Sequence, residues 1–201
     1  MNQRIQKIAL GGMLIALGIV IPMFSPIRVI IEPASFTLAS HVVIFIAMFI
    51  SPTMAFAVAV GTTIGFFVGG FPIVVVLRAA THLVFAMGGA FYIQQLKRTD
   101  GYLSPLKLRL FSFVIAMVHA ICEVIVVSLF YFGGTISQAH LDRGFFFSVI
   151  LLVGLGSVIH SMVDLEIAHV VIIALKKQKN MDTLFALRVK KPLTLQKIKN
   201  G

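Results

Sequence analysis

Charged side chains are scarce in this sequence: Asp, Glu, Lys and Arg make up 12% of its 201 residues, about half the share of a soluble domain. Acids are rarer still, seven against seventeen bases. One cysteine, Cys122, excludes an internal disulfide and an ordinary zinc ribbon. No Gly-x-Ser-x-Gly elbow, Walker loop or His-Glu-x-x-His pair occurs, which removes the common hydrolase, ATPase and zinc-protease signatures.

Hydrophobic residues fill that space, 59% of the chain with a mean hydropathy of +1.02. This length and composition predict a single-domain, polytopic, all-α membrane protein. Apolar runs fall at about 7–24, 38–50, 53–70, 72–96, 109–132 and 145–175, separated by Pro- and Gly-bearing junctions. Six transmembrane helices is the economical reading. The second run is short for a span of about 20 residues, so its helix is brief, tilted, or begins inside the preceding loop. The first run, from Ile8 to Phe24, reads as a first helix rather than a cleaved signal. Residues 1–177 then form the membrane domain and 178–201 a basic cytoplasmic tail.

The net charge of +10 is distributed by side. Arg4 and Lys7 precede the first helix; Lys97, Arg98, Lys107 and Arg109 lie between the fourth and fifth. Lys176, Lys177, Lys179, Arg188, Lys190, Lys191, Lys197 and Lys199 follow the sixth. Six spans place all of these on one side and leave only Arg28 and Arg143 opposite, which puts both termini in the cytoplasm. The tail suits an anionic lipid surface; without interleaved aromatics it gives no case for nucleic acid.

Polar residues at membrane depth carry the functional signal. At 1.5 Å per residue, Arg78 lies about 9 Å below the outer end of the fourth helix and His82 about 15 Å. On the fifth helix, running outward, Glu123 lies roughly 9 Å below the outer surface of a ~30 Å core, and His119 one turn deeper. Arg78 is thus level with Glu123, and His82 with His119. An Arg at the centre of a membrane helix costs about 2.5–3.5 kcal/mol on insertion scales. Two readings answer that cost: an Arg78–Glu123 ion pair, or an outer pocket in which Arg78 meets an anionic ligand. They can coexist. For the two histidines, packing competes with ligand contact. His160 of the sixth helix is expected ~22 Å along it, in the inner half; Asp164 and Glu166 are then expected to pair, cap a groove or meet a partner. "HAICE" (119–123) and "HSMVD" (160–164) share a His-x3-acid spacing that suits a metal. Their expected depths differ by ~7 Å, so no metal ligand is assigned. A metal-dependent intramembrane enzyme using His119, Glu123, His160 and Asp164 is the rival class, and a structural protein whose buried charges merely pair is a third.

Gly12 and Ala16 give the first helix a smooth strip for another helix, or for internal packing. The Gly-rich third helix (61–70) reads as tight packing. The first outer loop, "IEPASFTLASH" (31–41), is apolar and hydroxyl-rich and suits a lid over the pocket. Ser35, Thr37, Ser40 and His41 are its candidate ligand contacts, with helix capping by Thr37 or Ser40 as the competing role.

Six short helices, the Gly12–Ala16 strip and this loop resemble the S-component of an energy-coupling factor (ECF) vitamin transporter. The resemblance covers roughly residues 5–177. "PASFTLASHVVIFIAMFISP" (33–52) and "GFPIVVVLRAATHLVFA" (70–86) look most like the niacin subfamily; Gly12 stands where that family usually has Ala. The resemblance implies a vitamin bound from outside beneath the first loop, docking through helix 1 on a transmembrane coupling subunit, and transport driven by two cytoplasmic ATPases. This chain then has no cofactor of its own, ATP and Mg being used by those partners. A nicotinate carboxylate suits Arg78, a His or hydroxyl suits the ring nitrogen, and Phe side chains suit the ring face. Pantothenate, or another small carboxylate vitamin, is the alternative substrate.

Overall fold

Two Ser-Pro pairs show how local sequence sets helix starts. Ser51 accepts a hydrogen bond from Met54 N and Ser104 one from Lys107 N, while Pro52 and Pro105 occupy the first helical positions, where no backbone N–H is needed. The computed structural model describes residues 3–31, 34–99, 103–135, 138–178 and 184–185. In chain order these form α1 (Gln3–Phe24), β1 (Arg28–Ile31), β2 (Ala34–Thr37), α2 (Val42–Ile50), α3 (Pro52–Val68), α4 (Ile73–Arg98), α5 (Pro105–Phe132), α6 (Gln138–Asp142) and α7 (Gly156–Lys176). A π-helical stretch, Phe146–Leu155, runs directly into α7; Gly156 N donates to Leu151 O, five residues back.

Among the described residues four helices are long and apolar enough to cross a membrane: α1, α4, α5 and the continuous rod Phe146–Lys176. The third apolar run gives α3, with 17 residues and about 26 Å of length. The second gives a helix of nine residues, all buried, which at about 14 Å cannot cross a ~30 Å core. Each of the six apolar runs therefore carries a helix: four are long, α3 is shorter, and the short second run gives the brief α2, an internal plug. Being enclosed on every side explains why α2 is apolar all round. The loop between α1 and α2 carries the strands. It is an antiparallel hairpin in which Arg28 pairs with Thr37 and Ile31 with Ala34.

Helices around the plug turn small or polar residues inward. On α4 the buried positions include Val76, Arg78, Ala79, His82, Ala86, Gly89 and Ala90, whereas Val84 and Phe91 face outward. Exposed apolar side chains are what a lipid-facing surface requires. Gly18 of α1 approaches Thr62 and Val43, and Gly61 and Gly65 of α3 receive Ile15 and Ile19. A Cβ at Gly65 would overlap Ile19 Cδ1, so the glycines of helix 3 do serve tight packing. Leu184 and Phe185 of the tail are buried with the core, and Lys176 Nζ lies 5.8 Å from the Phe185 ring centroid. Lys179, Arg188, Lys190, Lys191, Lys197 and Lys199 lie outside the described residues.

Candidate functional site

The inward faces of α4, α5 and α7 meet the start of α2 in a column of polar side chains. In its first tier Arg78 clasps Glu123 in a two-pronged bond, Nε to Oε1 and Nη2 to Oε2, both 3.0 Å. Ser157 of α7 donates to the same Glu123 Oε2. Arg78 and Glu123 are thus level with each other, as a rise of 1.5 Å per residue predicts, and the two charges pair.

One helical turn further on, His82 and His119 face each other with ring centroids 5.1 Å apart. His41, from the turn before α2, wedges between them at 4.5 and 4.7 Å. Its Nε2 is 3.2 Å from His82 Nε2. His160 closes the group at 4.9 Å from His41, with its Nε2 3.1 Å from Ser40 Oγ. His119 is 1% exposed, and neither of its ring nitrogens makes a hydrogen bond; Nε2 lies 3.4 Å from Glu123 Oε1. Phe85, at 4.9 Å from the His119 ring, and Phe36, at 5.5 Å from the His160 ring, wall the tier.

Asp164 forms the floor and is fully buried. Oδ1 accepts from Ala39 N at 2.8 Å; Oδ2 accepts from His41 N at 2.9 Å and lies 3.2 Å from His41 Nδ1. A carboxylate on another helix thus caps α2 in place of a residue of its own turn, satisfying donors a helix start leaves free. It also holds Ala39 at a left-handed φ of 68°, a conformation that disfavours a side chain.

This corrects the expected depth of His160 and Asp164. An i→i+5 helix packs more residues into each turn and rises less per residue than an α-helix. The ten residues 146–155 therefore descend less than a constant α-helical rise implies, which accounts for part of the difference, and ring contact with His41 puts His160 on the tier of the other three histidines. Ser157, His160 and Asp164 form one stripe at three- and four-residue spacing. That stripe is visible in the sequence, but the π-helical stretch hides its level. Ser157 and Phe36 are site residues that sequence reasoning misses. Gly156 explains Phe36: a Cβ there would come within 2.5 Å of its Cζ.

Of the loop candidates, Ser40 and His41 join the column. Thr37 is buried where β2 ends, its carbonyl accepting from Ser40 N. Ser35 pairs with Ile30 in the hairpin, and its side chain is outside the described set. Neither Thr37 nor Ser40 caps α2. Glu166 stands apart, half-exposed, 3.8 Å from His169. Gly12 and Ala16 are exposed on α1, and a Cβ added at Gly12 would meet nothing within 4 Å, so internal packing does not use that strip.

The niacin transporter NiaX of Lactococcus lactis subsp. cremoris (strain MG1363) is 39% identical to this chain over 166 residues, 82% of this chain and 72% of that protein. No family profile and no solved structure matches.

Proposed function

This chain belongs to the niacin-transporter family, the vitamin S-component group it resembles, and on that premise we propose that it is the substrate-binding subunit of a vitamin uptake transporter and binds nicotinate in the polar column. The protein is a multi-pass membrane protein. The observation that carries the reading is the stack itself, a guanidinium tier directly above an aromatic-walled ring of imidazoles, with the hairpin's Phe36 packed against Gly156 and His160. The vitamin's carboxylate competes with Glu123 for Arg78, Ser157 stands beside it, and the pyridine ring lies against Phe36, Phe85 and the imidazoles. Ser35, Thr37 and Ser40 lie on the hairpin side of the same ligand.

Transport further requires partners. In this proposal the termini are cytoplasmic, the Gly12–Ala16 strip docks on a transmembrane coupling subunit, and two cytoplasmic ATPases supply the energy. This chain performs no turnover of its own. The similarity to a transporter favours this over the metal-dependent enzyme class, in which His119, Glu123, His160 and Asp164 would act on a bound substrate.

Calorimetric titration of the detergent-purified chain with nicotinate, nicotinamide and pantothenate tests the binding step. Nicotinate is expected to bind most tightly. Nicotinamide, lacking the charge, should bind about 10- to 100-fold more weakly, the worth of a charge-assisted hydrogen bond, and Arg78→Ala should reduce nicotinate binding by as much. Preferred binding of pantothenate would keep the transporter and replace the vitamin.

A further inference from the structure

The polar column has the wrong sign for an anion. Arg78, Glu123 and Asp164 are its fixed charges among the described side chains, and these three sum to one net negative charge. Arg78 is already engaged by Glu123 through two nitrogens. A carboxylate entering this column meets repulsion unless a further positive charge is present.

The second tier has the composition to hold one. We propose that His41, His82 and His119 bind a divalent transition-metal ion of the zinc class, with the fourth position facing the Arg78–Glu123 tier, where Glu123 Oε1 lies 3.4 Å from His119 Nε2 and 4.0 Å from His82 Nε2. One ring nitrogen from each of the three lies within 4.8 Å of the others. The Nε2 atoms of His41 and His82 are 3.2 Å apart, close to the ~3.3 Å edge of a tetrahedron with ligands 2.0–2.1 Å from zinc. The remaining edges shorten by up to about 1.5 Å when three nitrogens close on one ion. Three imidazoles and an open fourth position is an established zinc donor set.

Two features independent of this spacing point to a ligand. His119 is buried; its Nδ1 has no hydrogen-bond partner, and its Nε2 has only Glu123 Oε1, at 3.4 Å. Asp164 Oδ2 stands 3.2 Å from His41 Nδ1. A proton on Nδ1 turns the Nε2 lone pair toward His82, which is how a carboxylate behind a histidine prepares it for a metal. Asp164 itself is a poorer ligand. Its oxygens already accept from Ala39 N and His41 N, and His160 is bonded to Ser40. The second geometric grouping, His41 with His160 and Asp164, is therefore the support and not the ligand set. Adding a dication turns the sum of these three fixed charges from −1 to +1, which one carboxylate neutralises. That last step, the vitamin completing the coordination, rests on the nicotinate reading.

The test uses the full chain purified without a polyhistidine tag, stripped by a chelator and titrated with Co²⁺ and Zn²⁺. Readouts are metal per chain by elemental analysis and the visible absorption of bound Co²⁺. About one ion per chain is expected, with a tetrahedral-type Co²⁺ spectrum. Affinity should fall at least ~10-fold in His82→Gln and His119→Gln, and about 10- to 100-fold in Asp164→Asn, the usual effect of losing the group behind a ligand. Nicotinate should change the Co²⁺ spectrum and bind more weakly to chelator-treated protein. Wild-type chain that binds nicotinate equally with and without chelator and retains no ion overturns the metal site while the vitamin reading stands. One ion bound through these histidines, with no response to nicotinate by spectrum or calorimetry, supports the site and removes the vitamin reading. Ion binding unaffected by all three substitutions overturns the site, since the ion is then held elsewhere.

Discussion

Glu123 receives both prongs of the Arg78 guanidinium, the Ser157 hydroxyl and the approach of His119. Truncating it leaves a permanent positive charge in a low-dielectric interior, so Glu123→Ala is expected to destabilise the fold by about 3–5 kcal/mol. Removing both charges leaves no unpaired ion. The double variant Arg78→Ala/Glu123→Ala should recover most of that loss, as read by thermal unfolding in detergent, and still fail to bind nicotinate. A double variant no more stable than Glu123→Ala would show that Arg78 draws its compensation from elsewhere. Two roles otherwise confounded at one residue, tolerance of charge and recognition of an anion, are separated by that pair of readouts.

Among the elements, the hairpin and α7 are coupled through a missing side chain. Gly156 stands where π-helix gives way to α-helix, and the Phe36 ring occupies the space a Cβ would need. Gly156→Leu should displace Phe36 and the hairpin from the His160 tier while leaving the helices in place. Nicotinate affinity is expected to fall at least ~10-fold through faster dissociation, with little change in thermal midpoint, because overpacking is relieved by a surface hairpin more easily than by a core helix. Calorimetry and a stopped-flow off-rate measure this; an unchanged off-rate would sever the hairpin from the site. The same region marks where sequence reading succeeds and fails. Arg78, His82, His119 and Glu123 sit on uninterrupted α-helix, where a constant rise converts numbering into depth, and their pairing is legible. His160 and Asp164 lie beyond ten π-helical residues with no sequence mark that a fixed rise can register. His41 and Ser40 are legible only as lid candidates, because α2 starts on a carboxylate 123 residues away from His41. A helix capped across the bundle has no local signal at its start. The nine-residue α2 is foreshadowed by a run too short to span, but its burial on every face is a property of its neighbours.

At the scale of the whole molecule, small residues on α1 divide into two faces with different partners. Gly11 and Gly18 turn inward to Met54, Thr62 and Val43, while Gly12 and Ala16 lie exposed between Ile8, Met13, Leu17 and Val20. A helix that needed glycine only for its own bundle would have no use for the second set. Close approach of another membrane helix does use it, since removing side-chain bulk lets two backbones pack where no hydrophobic driving force exists between lipid and helix. If the coupling subunit docks there, as proposed, Gly12→Leu with Ala16→Leu should leave nicotinate affinity within about 2-fold, because neither residue approaches the polar column. Vitamin uptake by cells carrying the variant should fall at least ~10-fold, and co-purification of the coupling subunit should be lost, as packing losses of about 1–3 kcal/mol at an interface imply. Lost binding together with lost uptake would place the defect in the bundle instead. Unchanged uptake would move the docking face off α1 altogether, to one of the other lipid-facing helices.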